Sequence, residues 1–167
     1  MMTDNAAVGW IGLGKMGVPM AGHLLKAGFA LTVYNRSSGP EVGLRDAGAA
    51  VAESPAALAQ NVGTIISMTS DDAALADVTD GPNGAFGAAA PGTLFIDMST
   101  VSPDISAKVG ARANELGLGY LRAPVSGGVA LAVAGTITVL ASGARADFDK
   151  ALPLFDAMAK KSFYVGQ

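Results

Sequence analysis

Residues 8–17 read VGWIGLGKMG, and this stretch decides the fold. An apolar run typical of a strand leads into three glycines, Gly12, Gly14 and Gly17, after which the apolar residues take helical spacing. Glycines at this spacing between a strand and a helix are typical of a dinucleotide-binding turn. We expect Gly12 to form the tight turn, Gly14 to let the backbone approach a pyrophosphate, and Gly17 to let the helix pack closely against the strand.

The first turn of this helix is also a candidate anion site. Free backbone N–H groups and the positive end of the helix dipole attract phosphate without a basic side chain, so the Lys15 ammonium need not be a ligand. An ordinary glycine-rich turn is the alternative, because the chain contains 22 glycines. The strand before the turn and the helix after it favour the cofactor interpretation.

The remaining sequence alternates short apolar runs with longer, alanine-rich stretches of helical spacing. This alternation predicts an α/β fold of the Rossmann type, a doubly wound, mostly parallel sheet with helices on both faces, in one domain over residues 1–167. Predicted strands span residues 7–11, 31–35, 64–68, 94–98, 119–121, 136–141 and 163–165. Predicted helices span residues 16–27, 39–47, 55–60, 72–78, 103–116 and 145–160, and residues 80–84 form a surface turn. Ser54, Ser102 and Gly28 are expected at helix ends as caps.

A second cofactor signal follows the second predicted strand. Domains selective for NAD place an acidic residue there for the ribose hydroxyls, whereas this chain has Asn35, Arg36 and Ser37. Asn35 can hydrogen-bond the 2′ oxygen, and the Arg36 guanidinium offers a charge-assisted contact to a 2′-phosphate. NADP(H) is therefore favoured over NAD(H). The alternative is that Arg36 is a solvated turn residue.

Composition excludes several classes of protein. The basic residues are scattered and the net charge is −3, which argues against nucleic acid as a partner. No apolar run approaches the roughly 20 residues that cross a bilayer, and residues 1–7 lack a secretory signal, so we expect a cytoplasmic protein without a membrane partner. The chain has no cysteine and no predicted metal site. Its 50% hydrophobic content fits a sheet buried on both faces or a surface that packs against a missing partner.

Further motifs at residues 97–100 (DMST), 123–128 (APVSGG) and 135–136 (GT) complete a family pattern. With the glycine motif and the Asn-Arg-Ser segment, they make the chain resemble β-hydroxyacid dehydrogenases, relatives of 6-phosphogluconate dehydrogenase. The resemblance is strongest to the glyoxylate/succinic semialdehyde reductase and 3-hydroxyisobutyrate dehydrogenase branches. It implies an NADP-dependent oxidoreductase that transfers a hydride between NADPH and a small aldehyde acid or β-hydroxy acid.

The resemblance also implies roles for individual residues. Met68 and Thr69 would line the cofactor cleft, Thr100 would lie beside the nicotinamide ribose, and the Ser126-Gly127-Gly128 loop would hold the substrate carboxylate. A helix cap is the alternative for Thr100, and a plain strand-to-helix turn is the alternative for the loop. The complete set of predicted cofactor residues is Gly12, Leu13, Gly14, Lys15, Met16, Gly17, Asn35, Arg36, Ser37, Met68, Thr69 and Thr100.

Two positions depart from the family pattern as the resemblance defines it. Arg122 stands before Ala123 where an acidic or polar residue is common, and Thr69-Ser70 stands where many relatives have Leu-Pro. These departures bear on the identity of the substrate more than on cofactor binding.

No catalytic residue is predicted within the chain. The family's general acid is a lysine on an interdomain helix, expected just after Gln167, and an all-helical substrate and dimerisation domain would follow. The chain alone is therefore expected to be inactive, and the complete protein to be a homo-oligomer. Four lysines, Lys108, Lys150, Lys160 and Lys161, are expected on peripheral helices.

The remaining titratable candidates also have structural explanations. His23 is expected to be packed or surface-exposed, and the Asp71-Asp72 pair to cap a helix. Two other functions stay open at this point. One is an imine reductase-type NADPH domain, and the other is a non-catalytic nucleotide-binding module.

Overall fold

The structure, a computed structural model, describes residues 7–167. Residues 1–6, part of the segment on which the exclusion of a secretory signal depends, lie outside this range. The strands within the described range are β1 (Val8–Ile11), β2 (Leu31–Tyr34), β3 (Ala50–Val51), β4 (Thr64–Ser67), β5 (Leu94–Asp97), β6 (Gly119–Arg122), β7 (Val125–Ser126), β8 (Ile137–Gly143) and β9 (Ala159–Tyr164). The helices are α1 (Gly17–Lys26), α2 (Val42–Asp46), α3 (Pro55–Ala59), α4 (Asp72–Asp80), α5 (Pro103–Glu115), α6 (Val129–Ala134) and α7 (Arg145–Met158).

The strands form a mostly parallel sheet, which confirms the predicted fold class. Their order is β3-β2-β1-β4-β5-β6-β8-β7, and β9 pairs with β8. All neighbours from β3 to β6 are parallel, whereas β8 runs antiparallel to β6 and β7. The chain moves outward from β1 to β3 and then returns to β4 on the other side of β1, so a topological switch point lies between β1 and β4. Open α/β sheets bind ligands outside the carboxyl ends of the strands at such a point.

Apolar side chains pack on both faces of the sheet. Successive residues of a strand point to opposite faces, so Trp10 and Ile66 join one buried cluster while Ile11 and Ile65 join the other. This two-sided core confirms the first explanation of the apolar composition. Several large apolar side chains nevertheless remain exposed, namely Val42, Val51, Val129, Leu131, Val133, Leu140, Phe163 and Val165. No helix within residues 7–167 has the length and apolarity required to span a bilayer.

The predicted caps are confirmed. The Ser54 hydroxyl accepts a hydrogen bond from the Ala57 amide at 3.0 Å at the start of α3, and Ser102 does the same for the Ile105 amide at 3.3 Å at the start of α5. Gly28 follows the end of α1 with a φ of +95°, in the left-handed region that glycine adopts without strain.

The end of the chain differs from its prediction. The sequence predicts a last helix that reaches residue 160 and a last strand at residues 163–165, but α7 ends at Met158 and β9 begins at Ala159. Parallel pairing with β8 holds this segment extended. The polar, exposed Lys160 and Lys161 obscure the strand pattern in the sequence, and they lie on a strand rather than on a helix.

Three short elements were not predicted. Strands β3 and β7 have two residues each, too few for a periodic signal, and they exist because a neighbouring strand supplies their hydrogen bonds. Helix α6 has six residues and is bounded by glycines, with Gly135 in the left-handed conformation at φ +71°. Its Val and Ala residues carry no polar face from which a helical period could be inferred.

Candidate functional site

Residues 12–17, here called the glycine loop, connect β1 to α1, and each of its glycines meets different surroundings. Gly12 has a φ of +101°, and a Cβ built on it would overlap the Met68 carbonyl oxygen. A Cβ built on Gly17 would overlap the Gly12 carbonyl oxygen. At Gly14, by contrast, a Cβ would meet no atom of the described residues within 4 Å. The outer two glycines are therefore required by the fold itself, whereas the middle one faces open space.

The loop presents unpaired donors at the start of α1. Among residues 7–167, none accepts a hydrogen bond from the backbone N–H of Gly14, Lys15 or Met16. No side chain within residues 7–167 caps the helix, and its first turn carries no acidic residue. Unpaired N–H groups and an uncompensated helix dipole are the features that bind phosphate at a helix N-terminus.

Two side chains hold the peptide group between Gly12 and Leu13. The Trp10 indole N–H donates to the Gly12 carbonyl oxygen at 2.9 Å, and the Leu13 N–H donates to the Asn35 Oδ1 at 2.9 Å. The Asn35 amide in turn donates to the Ser37 carbonyl oxygen at 2.8 Å. Asn35 thus connects the glycine loop to the segment after β2, a contact that the sequence did not indicate.

Arg36 and Ser37 form the exposed end of that segment. No described residue forms an ion pair or a hydrogen bond with the Arg36 guanidinium, in contrast to Arg45, Arg112 and Arg145, which all pair with carboxylates. A guanidinium without a protein partner keeps all its donors available for an anionic ligand.

A buried polar network joins the ends of β4 and β5. Asp97, only 2% exposed, accepts hydrogen bonds through Oδ1 from the Ser67 hydroxyl at 2.9 Å and from the Ser99 N–H at 3.0 Å. The Ser99 hydroxyl accepts a hydrogen bond from the Thr69 N–H at 2.7 Å. Burial raises the pKa of Asp97 above its usual value, and the hydrogen bonds from Ser99 and Ser67 oppose that rise. The sequence places Asp97 in a family motif but gives no sign of this positioning role.

We expect Asp97→Ala to lower the free energy of unfolding by about 2 to 4 kcal/mol, because two buried donors lose their acceptor. Asp97→Asn keeps an acceptor oxygen and should cost less.

The raised pKa of Asp97 gives a pH dependence of stability. Because the folded state binds more protons at Asp97 than the unfolded state does, the free energy of unfolding falls as pH rises from 3.8 through the folded pKa. Urea unfolding of the unchanged chain and of both variants at several pH values measures these free energies. An Asn variant as unstable as the Ala variant would contradict the predicted order.

Asp71 and Asp72 act structurally, as the sequence predicts. Asp71 caps α4 by accepting a hydrogen bond from the Ala74 N–H at 2.8 Å. Asp72 accepts hydrogen bonds from the Ser102 N–H at 2.8 Å and from the Ser102 hydroxyl at 2.6 Å, and so joins the first turns of α4 and α5. These bonds to the Ser102 hydroxyl and amide lower the pKa of Asp72.

A lowered folded pKa gives the opposite pH dependence. The contribution of Asp72 is complete above its unfolded pKa of 3.8 and is lost as pH falls through the folded value. We expect Asp72→Asn to melt at a lower temperature than the unchanged chain near neutral pH, with the gap closing in strong acid. Asp156→Asn, which changes an exposed carboxylate, is the control. A gap that persists unchanged below pH 3 would show that the ionic hydrogen bonds contribute nothing.

A cavity of about 650 Å³, here called the glycine-loop cavity, lies at the carboxyl ends of β1, β2 and β4. This volume is within the roughly 300–1,000 Å³ typical of ligand pockets. Every predicted cofactor residue except Thr100 lines it, together with Ile11, Tyr34, Pro40, Ser70, Asp71, Ala73, Ala74, Asp77 and Val78. A phosphate-bearing dinucleotide fits this cavity because its wall combines the unpaired N–H groups, the open space at Gly14 and the free Arg36 guanidinium.

Thr100 lines a separate cavity of about 440 Å³ at the ends of β5 and β6. Arg122 also lines this cavity, where its Nε–H donates to the Ser106 hydroxyl at 2.7 Å and its guanidinium lies over the Tyr120 ring. Burial raises the pKa of Tyr120 to about 12, with a smaller contribution from the Asp97 charge, so the ring under the cation stays neutral. The placement of Thr100 beside the cofactor stays a prediction.

Ser126 is the last residue of β7, and Gly127 and Gly128 connect it to α6; all three are exposed and line neither of these cavities. Gly127 has a φ of +134°, which favours glycine there. Helix α6 is attached to α1 through His23, whose Nε2–H donates to the Ala132 carbonyl at 2.9 Å and to the Val133 carbonyl at 3.0 Å. His23 is therefore packed, as expected. Lys108, Lys150, Lys160 and Lys161 are all exposed.

Comparison with known proteins agrees with this geometry. Residues 7–166 match the family model described as the NAD binding domain of 6-phosphogluconate dehydrogenase. A NAD-dependent L-serine dehydrogenase from Pseudomonas aeruginosa is 41% identical over 95% of this chain and 53% of that enzyme. Glyoxylate/succinic semialdehyde reductase 1 from Arabidopsis thaliana is 39% identical over 96% of this chain and 55% of that enzyme.

Solved structures of related proteins superpose closely on this chain. A 3-hydroxyisobutyrate dehydrogenase from Mycobacterium tuberculosis with L-serine superposes with a TM-score of 0.91 at 32% identity, covering 99% of this chain and 55% of that one. Psf3 in complex with NADP+ and 2-OPP gives a TM-score of 0.92 at 30% identity, covering 96% and 57%. The chain thus spans about half the length of the relatives it matches.

Proposed function

Because the chain belongs to the family of the NAD binding domain of 6-phosphogluconate dehydrogenase, we propose that it binds NADP(H), in preference to NAD(H), in the glycine-loop cavity. The observation that carries this preference is the free Arg36 guanidinium, which lines the cavity beyond β2 where an NAD-selective domain places a carboxylate. The NADP+ complex of Psf3 supports the proposal. The NAD-dependent L-serine dehydrogenase supports the opposite preference.

In this proposal each part of the cavity has one task. The N–H groups of Gly14, Lys15 and Met16 bind the pyrophosphate, and the α1 dipole adds to their attraction. Arg36 and Ser37 bind the 2′-phosphate as charge-assisted and hydroxyl donors. Met68 and Thr69 line the wall formed by the end of β4, and Asp97 fixes that wall through Ser99. The nicotinamide, when bound, supplies or accepts the hydride.

For the complete protein we propose reduction of a small aldehyde acid or oxidation of a β-hydroxy acid. The relatives named for glyoxylate, succinic semialdehyde and 3-hydroxyisobutyrate support this substrate class. Ser126, Gly127 and Gly128 would hold the substrate carboxylate, because a hydroxyl and glycine amides can form an anion-binding concavity. The general acid would come from a lysine beyond Gln167, and oligomerisation and cytoplasmic location stay predictions for the complete protein.

Titration of the chain with NADPH and with NADH tests the cofactor proposal. Trp10 is the chain's one tryptophan, and its indole bonds the glycine loop, so its emission reports occupation of the cavity. We expect NADPH to bind with a dissociation constant at least about tenfold lower than that of NADH, which corresponds to about 1.4 kcal/mol. Tighter binding of NADH would contradict the NADP preference, and failure of both nucleotides to bind would contradict the site.

Assays of turnover test the second part. We expect the chain alone to show negligible reduction of glyoxylate or succinic semialdehyde by NADPH, because the lysine that we propose as the general acid lies beyond Gln167. Robust turnover by the chain alone would contradict this. Turnover of cyclic imines by the complete protein would favour the imine reductase alternative, and nucleotide binding without any turnover by the complete protein would favour a non-catalytic module.

A further inference from the structure

Trp10 and Asn35 together hold one peptide group of the glycine loop, and this arrangement has a consequence for phosphate binding. The Trp10 indole N–H bonds the carbonyl side of the Gly12–Leu13 peptide, and the Asn35 Oδ1 bonds its amide side. A peptide group can reverse its direction by rotating about the two bonds that flank it. Hydrogen bonds at both ends oppose that rotation, especially next to a glycine, whose backbone is the least restricted.

The direction of this peptide matters because it lies beside the unpaired N–H groups. In the observed orientation the Gly12 carbonyl points inward, toward the Trp10 indole and the backbone of Gly17. A reversed peptide would turn this carbonyl away from the indole and toward the side that the Leu13 N–H now occupies, where Leu13 and Asn35 line the cavity. A carbonyl oxygen facing a pyrophosphate repels it, so the inward orientation favours phosphate binding.

We propose that Trp10 and Asn35 are positioning residues that hold the Gly12–Leu13 peptide in the orientation required for pyrophosphate binding. The inference deepens the proposed function and depends on it, because it concerns the same cavity. Trp10 is fully buried and is not among the residues that line the glycine-loop cavity. It acts on the part of the cofactor that NADPH and NADH share, whereas Arg36 acts on the 2′-phosphate alone.

Because the chain has a single tryptophan, a tryptophan analogue incorporated during expression changes the N–H group of Trp10 alone. Replacement of tryptophan by L-3-(3-benzothienyl)alanine during expression keeps the shape of the ring and puts sulfur where the N–H was. We expect calorimetric titration, which does not depend on tryptophan emission, to show the dissociation constants of both NADPH and NADH raised by about 3- to 10-fold, the effect of one lost hydrogen bond, with their ratio unchanged. Trp10→Phe, which also lacks the donor, should give at least the same loss.

A purely structural role for Trp10 would give a different result. Phe95→Leu is the matched control, since Phe95 is equally buried but belongs to the other core cluster. If Phe95→Leu lowers the melting temperature and the nucleotide affinity as much as the changes at Trp10 do, lost stability rather than peptide orientation explains the effect, and the proposal is wrong. Unchanged affinity of the folded benzothienyl protein for both nucleotides would also overturn it.

A double substitution measures whether both side chains act on the same peptide. Asn35→Ala and the benzothienyl replacement, combined and titrated with NADH, should together cost less than the product of their separate effects, because either change alone releases the peptide. Combination with Arg36→Ala, titrated with NADPH, should instead give the full product. If the separate effects multiply in both combinations, Trp10 and Asn35 do not act on the same peptide group, which would contradict the proposal. Failure of the unchanged chain to bind either nucleotide would refute the proposed function itself.

Discussion

Arg36→Ala is expected to raise the dissociation constant of NADPH by roughly 30- to 150-fold and to leave that of NADH within about a factor of two. Hydrogen bonds to charged groups contribute about 1.5 to 3 kcal/mol, and the upper part of that range corresponds to this loss. Arg36 is exposed, carries no ion pair among the described residues and lines the glycine-loop cavity, so its removal should not disturb the fold. Calorimetric titration of both nucleotides checks the prediction.

The control for Arg36→Ala is Arg45→Ala. Arg45 is also exposed, lies nearby on α2 and makes only a surface ion pair with Asp46 at 3.7 Å. It has no place in the wall of the cavity, so its loss should leave both dissociation constants unchanged. Equal losses from the two variants would mean that net charge rather than a specific phosphate contact sets the affinity. A loss of NADH binding by Arg36→Ala would also contradict the assignment.

Gly12→Ala and Gly14→Ala are expected to separate folding from cofactor binding. Alanine at position 12 would have to adopt a φ of +101° with its Cβ against the Met68 carbonyl oxygen. Backbone strain and overpacking each cost about 1 to 3 kcal/mol, so we expect a loss of about 2 to 6 kcal/mol in the free energy of unfolding. The melting temperature should fall by roughly 5 to 20 °C.

Alanine at position 14 meets no atom within 4 Å and requires no positive φ. Its free energy of unfolding should therefore stay within about 0.5 kcal/mol of the unchanged chain. The added methyl group occupies the open space beside the unpaired N–H groups, where the pyrophosphate must approach, so both nucleotides should bind roughly 10- to 100-fold more weakly. Gly87→Ala, equally unobstructed but outside the cavity, should change neither quantity. Unaltered nucleotide binding by a folded Gly14→Ala variant would place the pyrophosphate elsewhere.

Local sequence signals predicted the parts of the site that depend on short-range geometry. The spacing of Gly12, Gly14 and Gly17 indicated their separate roles, because tight turns and close packing of a helix on a strand exclude side chains wherever they occur. Ser54 and Asp71 cap helices through bonds to residues three positions later, so their function is visible within one turn of sequence.

Long-range contacts could not be predicted in the same way. Asp97 meets Ser67 across 30 positions, and Asp72 meets Ser102 across 30, through the parallel packing of neighbouring strand–helix units. Neither pairing has a local pattern. Asn35 illustrates the difference within one residue: its type suggested a contact with the ribose, but the structure shows that its oxygen holds the Leu13 amide, 22 positions away.

The short elements were missed for another physical reason. A strand of two residues has no period, and β3 and β7 are stabilised by their neighbours rather than by their own sequence. The last strand was misplaced because Lys160 and Lys161 are exposed on an edge, where charged residues occur without disturbing the pairing with β8. Pairing with a neighbouring strand, rather than local sequence, determines where β3, β7 and β9 form.

A ¹⁵N–¹H correlation spectrum recorded during titration with NADPH tests whether the glycine-loop cavity binds the phosphates of NADP(H). We expect the largest shifts at the amides of Gly14, Lys15 and Met16, with a second group at Arg36 and Ser37 that NADH does not reproduce. Shifts confined to other surfaces, or identical patterns for the two nucleotides at Arg36 and Ser37, would contradict it.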